Sequence, residues 1–208
     1  MAERRKHNAP ERRLQLADAA IELLGANGAR GVSHPKVDQH AGVPPGSTSF
    51  YFRTRHALLL AAAKRLTELD IADLSRMSEL SQDDSSDFSG AIGLARLVMY
   101  SAEEPWLTRS KARYELMLHA SRDAQLAATL QQSVKSFYAL ARDVVAQWHR
   151  SEHAPDSELI EDQAIATLTF INGVMMSFVA GRPVVYNAEH LASLIQSVIT
   201  GVSQTHRR

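Results

Sequence analysis

Apolar residues along this chain recur three and four positions apart, the repeat of one face of an α-helix, and no run alternates long enough to make a strand. Leu14, Ala17, Ile21 and Leu24 share one face of a first helix. Ser33 is placed to cap a short second helix with Val37 and Ala41 turned inward, and Gly42 supplies its stop. Pro44-Pro45 opens another short helix that reaches about Phe50. Thr54 caps a long one carrying Leu58, Leu59, Ala62, Leu66 and Leu69. A polar run at 81–86 interrupts the pattern, and helices are expected next over 87–102, 105–121 and 123–148. Pro105 suits a first turn, where its missing N–H costs nothing. The 123–148 helix sets Leu126, Leu130, Val134, Phe137, Ala141, Val144 and Trp148 along one stripe. After a break at 153–157 a helix runs to Ala180 and is closed by Gly181 and Pro183. Asn187 caps the last helix, with Leu191, Leu194, Ile195, Val198, Ile199 and Val202 inside. The pattern predicts an all-α chain of about nine helices without internal repeats.

Residues 164–181 hold no charge, which raises the question of a membrane span. Thr167, Thr169, Asn172, Gly173 and Ser177 dilute the stretch and no aromatic belt flanks it, so it is read as buried in protein. Cysteine is absent from the 208 residues, which excludes a disulfide scaffold, a thiolate metal site and a cysteine nucleophile. The opening run from Met1 to Arg13 has no apolar core of the signal-peptide type, so a cytoplasmic protein is expected. Net charge is zero over the chain but not by region. Residues 1–65 carry eleven Lys and Arg against five Asp and Glu, a balance of +6, and the remainder stands at −6. A basic N-terminal third beside an acidic remainder points to a module for a polyanion and a second module of another kind.

Two short helices joined by a tight glycine turn make a helix-turn-helix, here residues 33–50 with Ala41-Gly42-Val43 as the turn. Gly42 tolerates the left-handed backbone that a Cβ would resist, and Val43 fills the angle between the helices. The second helix would enter the major groove by its N-terminus, where Ser47, Thr48 and Ser49 offer hydroxyls. The segment Gly42-Val43-Pro44-Pro45-Gly46-Ser47-Thr48-Ser49-Phe50-Tyr51-Phe52-Arg53-Thr54-Arg55-His56-Ala57-Leu58-Leu59 resembles the DNA-binding signature of the TetR family of bacterial transcription regulators. Gly42, Val43, Gly46, Ser47, Tyr51, Phe52, Thr54, Arg55, Leu58 and Leu59 match or nearly match it. The first helix, with Gly28 and Gly31 at its exit, is similar too, so the resemblance covers residues 10–65. The rest of the chain is similar only in architecture.

The resemblance implies a flexible basic tail at 1–9, a three-helix helix-turn-helix DNA-binding domain at 10–55, and a helical ligand-binding and dimerisation domain at 56–208. Ser33 and His34 then sit where the family touches phosphate at the start of its first motif helix. Ser47, Tyr51 and Arg55 align with a hydroxyl, a phenol and a basic residue that contact phosphate, all apt donors. Pro44, Pro45, Gly46, Thr48 and Ser49 occupy the groove-facing stretch, Thr48 and Phe50 are placed for thymine methyls, and Phe52 and Leu58 fall in the core. Four positions depart from the family pattern: Pro44 replaces a capping serine, Ser49 an aromatic, Pro35 a polar residue and Asp38 a small one. Few long polar side chains are left for base readout, so preference leans on DNA shape and on Arg4, Arg5 and Lys6, either as a minor-groove arm or as a solubilising tail.

A homodimer on a palindromic operator of double-stranded DNA follows from the two-fold habit of such regulators. Leu168, Ile171, Met175, Phe178, Leu194, Val198 and Val202 are placed at or near the dimer interface, part of them as ordinary core. A largely apolar small-molecule effector is expected inside the C-terminal domain, with Tyr100, Tyr114, Met117, His119, Phe137, Tyr138, Phe170, Asn172 and Met176 as candidate lining residues. Aromatic and methionine residues at helical spacing also serve as plain core, and a hydrogen-bonded core histidine is the alternative for His119. His149 and His153, with Asp156 and Glu158 near, have helical metal-ligand spacing but stand at a polar helix end, so no metal is assigned. No phosphate loop, nucleophile elbow or zinc-protease motif is present, so no cofactor and no enzyme activity are expected. The reading is a repressor released by ligand, through tilting of the helix at 54–80; the alternative is an all-helical ligand-binding protein or enzyme without DNA activity.

Overall fold

The computed structural model describes residues 9–81, 90–149 and 157–206. The basic tail with Arg4, Arg5 and Lys6, the polar run after Ser81, the expected helix start at Asp87, and His153 and Asp156 lie outside the described residues. Among the described residues there are nine helices and no strand: α1 (Ala9–Gly31), α2 (His34–His40), α3 (Ser47–Tyr51), α4 (Arg55–Ser81), α5 (Gly90–Tyr100), α6 (Trp106–Ala120), α7 (Ala124–Trp148), α8 (Ser157–Val179) and α9 (Ala188–His206). Thr54 and Asn187 cap helices as expected, and Asp123 caps a third. Thr54 Oγ1 accepts the Ala57 N–H at 3.1 Å, Asn187 Oδ1 accepts that of His190 at 2.8 Å, and Asp123 Oδ1 accepts those of Gln125 and Leu126 at 3.1 and 3.0 Å. The N–H of Leu126, with His56 and Gln125, holds the Asp123 carboxyl below its usual range.

The chain forms two compact units. The first comprises the residues up to Leu69 together with 108–131, so α1 to the middle of α4 are joined by most of α6 and the first turns of α7. Its core gathers Leu16, Ile21, Leu24, Val37, Phe52, Leu58 and Leu66 with Ala112 and Leu116 of α6 and Leu126 and Leu130 of α7. Burying each large aliphatic side chain contributes about 1.5–3 kcal/mol, which is how a five-residue helix such as α3 survives in company. Leu14, expected on the buried face, precedes the first buried position of α1 and is exposed.

Two glycines set how α1 meets α6. At Gly28 the backbone turns to φ 64° and ψ −178°, which breaks α1 before its last residues. The freed Ala29 N–H donates to Glu115 Oε2 of α6 at 3.1 Å. At Gly25 a Cβ would lie 2.4 Å from the Thr108 carbonyl oxygen, so only glycine permits this approach of the α6 backbone.

The second unit comprises 70–107 and 132–208. α9 packs against α5 and α8 around Leu94, Val98, Val145, Val174, Leu191, Ile195 and Ile199. The uncharged stretch of α8 lies here, and no helix of the described residues is long and apolar enough to cross a membrane. Gly181, at φ 68°, ends α8 as expected, its N–H donating to the Phe178 carbonyl and that of Arg182 to Ser177. One polar chain crosses the core. Buried His149 meets Gln163 Oε1 at 2.8 Å, and the Gln163 amide donates to the Ile199 carbonyl and to Ser203 Oγ at 2.8 and 2.7 Å. One turn along α8, the buried Thr167 hydroxyl has no hydrogen-bond partner among the described residues. Val134 and Trp148, expected on the buried stripe of α7, are exposed. At ~100° per residue Val134 stands about 80° round the helix from Leu126, on the rim of that face.

Candidate DNA-binding surface

The turn between α2 and α3 has the chemistry that the glycine spacing predicts. Gly42 takes φ 63°, the Val43 N–H reaches back to the Asp38 carbonyl at 3.0 Å, and Val43 is buried in the angle. Ser33 is the N-cap of α2, but its hydroxyl makes no capping hydrogen bond, which leaves it free at the helix start. His34 is half-buried and its Nε2 pairs with the Phe52 carbonyl at 2.7 Å, tying the start of α2 to the end of α3.

α3 is only five residues long, and its N-cap is Gly46, which has no side chain to cap with. The cap comes from α2 instead. The Asp38 carboxylate, 4% exposed, accepts the N–H of Gly46 at 2.7 Å, the N–H of Thr48 at 2.7 Å and the Thr48 hydroxyl at 2.6 Å. Burial alone would push this carboxyl up. The hydroxyl and two N–H donors, helped by the charge of His34, outweigh burial and hold it below its ordinary value.

This corrects the reading of Thr48. Its side chain is fully buried against Asp38 and does not face the groove. In a helix this short, the residue that packs inward to fix the element cannot also reach out. The outward positions are Pro45, Gly46, Ser49 and Phe50, and Phe50 is 78% exposed. Ser47 is half-buried and its hydroxyl donates to the Pro44 carbonyl at 2.6 Å.

Tyr51 is half-buried and stacks edge-on against Phe50, their centroids 5.0 Å apart. Arg13 of α1 was not singled out in the sequence, because only packing brings it here. Its guanidinium lies 5.5 Å from the Tyr51 ring and 5.4 Å from that of Phe52, and donates to the Tyr51 carbonyl at 3.0 Å. Arg55 also has an inward role. Its Nε donates to the Val32 carbonyl at 3.2 Å and its Nη2 to that of Ala29, which leaves Nη1 unengaged by these bonds. Arg13, Lys36, Arg53 and Lys64 are exposed, and Arg12 is half-buried.

The residues expected to line an effector pocket fall into both units. Tyr114, Met117 and His119 stand on α6 within the first unit, where Met117 and His119 are exposed rather than enclosed. Tyr114 is half-buried, and burial pushes its phenol up. Tyr100, Phe137, Tyr138, Phe170, Asn172 and Met176 belong to the second unit. There Phe170 packs on the core, the Tyr138 hydroxyl donates to Glu161, and Tyr100 is exposed beside Trp106 at 5.6 Å. Asn172 and Met176 face outward on α8.

The dimer candidates divide as well. Ile171 and Phe178, each 5% exposed, are core, buried in the apolar cluster that α8 shares with α5, α7 and α9. Leu168, Met175, Leu194, Val198 and Val202 are half-buried in the single chain. Ile165, at 53%, and Met176, at 44%, are exposed and stand three turns apart on one side of α8.

Known proteins bear on this geometry. The family described as bacterial regulatory proteins, tetR family, matches residues 16–62, and the tetracyclin repressor-like C-terminal domain matches residues 90–201. A TetR-family member from Streptomyces coelicolor is 25% identical, covers 91% of this chain and 98% of its own, and superposes with a TM-score of 0.65. The multidrug binding protein EbrR, complexed with proflavin, is 25% identical over 90% of this chain and 99% of its own, with a TM-score of 0.59. A transcriptional regulator from Pseudomonas aeruginosa shares the fold at a TM-score of 0.72 and 18% identity, covering 98% of this chain and 96% of its own. No curated protein matches significantly by sequence.

Proposed function

The chain belongs to the tetR family of bacterial regulatory proteins, and from that membership we propose a cytoplasmic homodimeric repressor that leaves a palindromic operator when a small molecule binds. The observation that carries the DNA side is the outer face of α3. Phe50 is 78% exposed there beside Ser49 and Pro45, and Asp38 fixes the helix that presents it. Two such helices about one DNA turn apart would enter successive major grooves. Phe50 would meet thymine methyls, Ser49 and Pro45 the neighbouring base edges, and Ser33, Tyr51, Arg13 and the remaining Arg55 nitrogen the phosphates.

Dimerisation is assigned to the outward sides of α8 and α9. Ile165, Leu168 and Met176 on α8 and Leu194, Val198 and Val202 on α9 supply apolar surface that one chain leaves uncovered. Gly173 and Gly201 have nothing within 4 Å of a built Cβ, so a second chain can approach closely there. The effector is assigned to the second unit, by analogy with the dye complex of EbrR. An occupant there would shift the equilibrium between two placements of α4, which carries the reading head at its first turn.

The test is anisotropy with duplex DNA taken from upstream of this gene, across a salt series. Specific retention that falls steeply with salt is expected. Phe50→Ala should lower affinity for the specific duplex by about 1–3 kcal/mol and leave nonspecific binding unchanged. Equal losses on both duplexes would refute base readout by Phe50, and no DNA binding in any ligand state would refute the regulator.

A further inference from the structure

A cleft opens in the first unit where α1 breaks, α4 begins and α6 passes. It measures about 660 Å3 and is lined by Asn27 and Arg30 of α1, Arg55 of α4, and Glu115 and His119 of α6. That size is ample for a metabolite-sized molecule. Two of its charged groups are already engaged inward: Arg55 donates to the Ala29 and Val32 carbonyls, and Glu115 accepts the Ala29 N–H. The side chains of Asn27, Arg30 and His119 make no hydrogen bond or ion pair among the described residues.

The unspent groups therefore are an amide, a guanidinium and an imidazole. Two guanidinium groups face a single carboxylate, so the cleft is electropositive. The amide, guanidinium and imidazole donors favour a ligand rich in acceptor oxygens. We infer that this cleft binds a small carboxylate or phosphate anion, with Arg30 as its counter-charge and Asn27 and His119 as hydrogen-bond donors. The bound anion bridges the broken end of α1 to α6, two elements that Glu115 links by a side-chain hydrogen bond to the Ala29 amide. The site is distinct from the effector site assigned to the second unit and does not depend on it.

A DNA backbone phosphate presents the same chemistry, so the test separates the two sources. Full-length protein, 15N-labelled and free of DNA, is titrated with inorganic phosphate and with citrate at constant ionic strength. The expected result is a saturable shift at the Gly28, Ala29 and Arg30 amides and the His119 ring. Arg30→Gln and His119→Gln should each weaken it about tenfold, the loss of one charge-assisted hydrogen bond, while Tyr51→Phe leaves it unchanged. Both replaced residues are exposed, and unchanged thermal unfolding establishes that the variants fold. Absence of saturation with both probes, or equal affinity in the variants, overturns the proposal. If neither probe saturates but Arg30→Gln lowers the salt slope of duplex binding by about one, the cleft belongs to the DNA backbone and the small-anion site is refuted. Because the titration contains no DNA, its outcome is independent of whether the protein regulates transcription.

Discussion

Replacing Asp38 should loosen the reading helix without touching its outer surface. The carboxylate accepts three hydrogen bonds, at 2.6 to 2.7 Å, from Gly46 and Thr48. Asp38→Ala strands the Thr48 N–H and hydroxyl in a fully buried place, while the exposed Gly46 N–H can turn to water. A buried donor left unmade costs about 1–3 kcal/mol, so losing both should cost about 3 kcal/mol. Asp38→Asn keeps the shape and one acceptor oxygen but turns an NH2 toward a donor, and about 2 kcal/mol is expected. Amide hydrogen exchange reads the loss locally: a ~3 kcal/mol change should speed Thr48 exchange by about two orders of magnitude if α3 opens on its own. The sign of the pH effect follows from the depressed carboxyl. Its stabilisation is fully present above the unfolded value of 3.8 and disappears as pH falls through the lower folded value, so acid unfolding of Asp38→Asn should lack that component. Thr48 exchange unchanged in Asp38→Ala, with specific DNA affinity intact, would refute the cap.

Gly25→Ala places a methyl 2.4 Å from the Thr108 carbonyl, a backbone atom that cannot swing aside. Calorimetry should show a loss of about 1–3 kcal/mol, and an unchanged melting temperature would mean that α6 is not seated where it is described. Thr167→Val removes a buried hydroxyl that has no partner among the described residues and keeps the side-chain shape, so the melting temperature should rise, by the equivalent of about 1 kcal/mol. A fall would show that the hydroxyl is used. Ile165→Arg combined with Leu194→Arg adds charge to the outward sides of α8 and α9, and sedimentation should find monomers; an intact dimer would place the interface elsewhere.

Local rules carried the helices. Thr54, Asp123, Asn187, Gly42 and Gly181 act within a few residues of themselves, and each starts or ends an element as its chemistry requires. What the pattern could not separate was one buried face from another. Ile171 and Phe178 are as apolar as any contact with a second chain, and only the cluster shared with α5, α7 and α9 makes them core. The candidate pocket residues divide between the units for a related reason. Aromatic and methionine residues mark an apolar wall but not its side, so His119 and Met117 came out at the surface of the first unit. Arg13 was silent because its role needs Tyr51 and Phe52, which lie nearly forty residues away and reach it through packing alone.

Asp38 and Pro44 each depart from the family signature, and together they amount to one device. With proline at 44 and glycine at 46, the chain before α3 carries no hydroxyl that could cap it. An acid in place of a small residue at 38 reaches across from α2 and makes that cap with a full charge. The exchange has a consequence for DNA. The N–H groups of Gly46 and Thr48 point inward to a carboxylate, so the start of α3 has less positive field to offer a phosphate. Attraction must then come from side chains that stand clear of it, namely Arg13, Lys36 and Arg53. On the proposed reading, discrimination falls to the exposed Phe50. Under this division Arg53→Ala should flatten the salt dependence on every duplex, whereas Phe50→Ala should narrow the gap between specific and nonspecific DNA at any salt. A head whose α3 bound phosphate through its own backbone would mix the two effects in both variants.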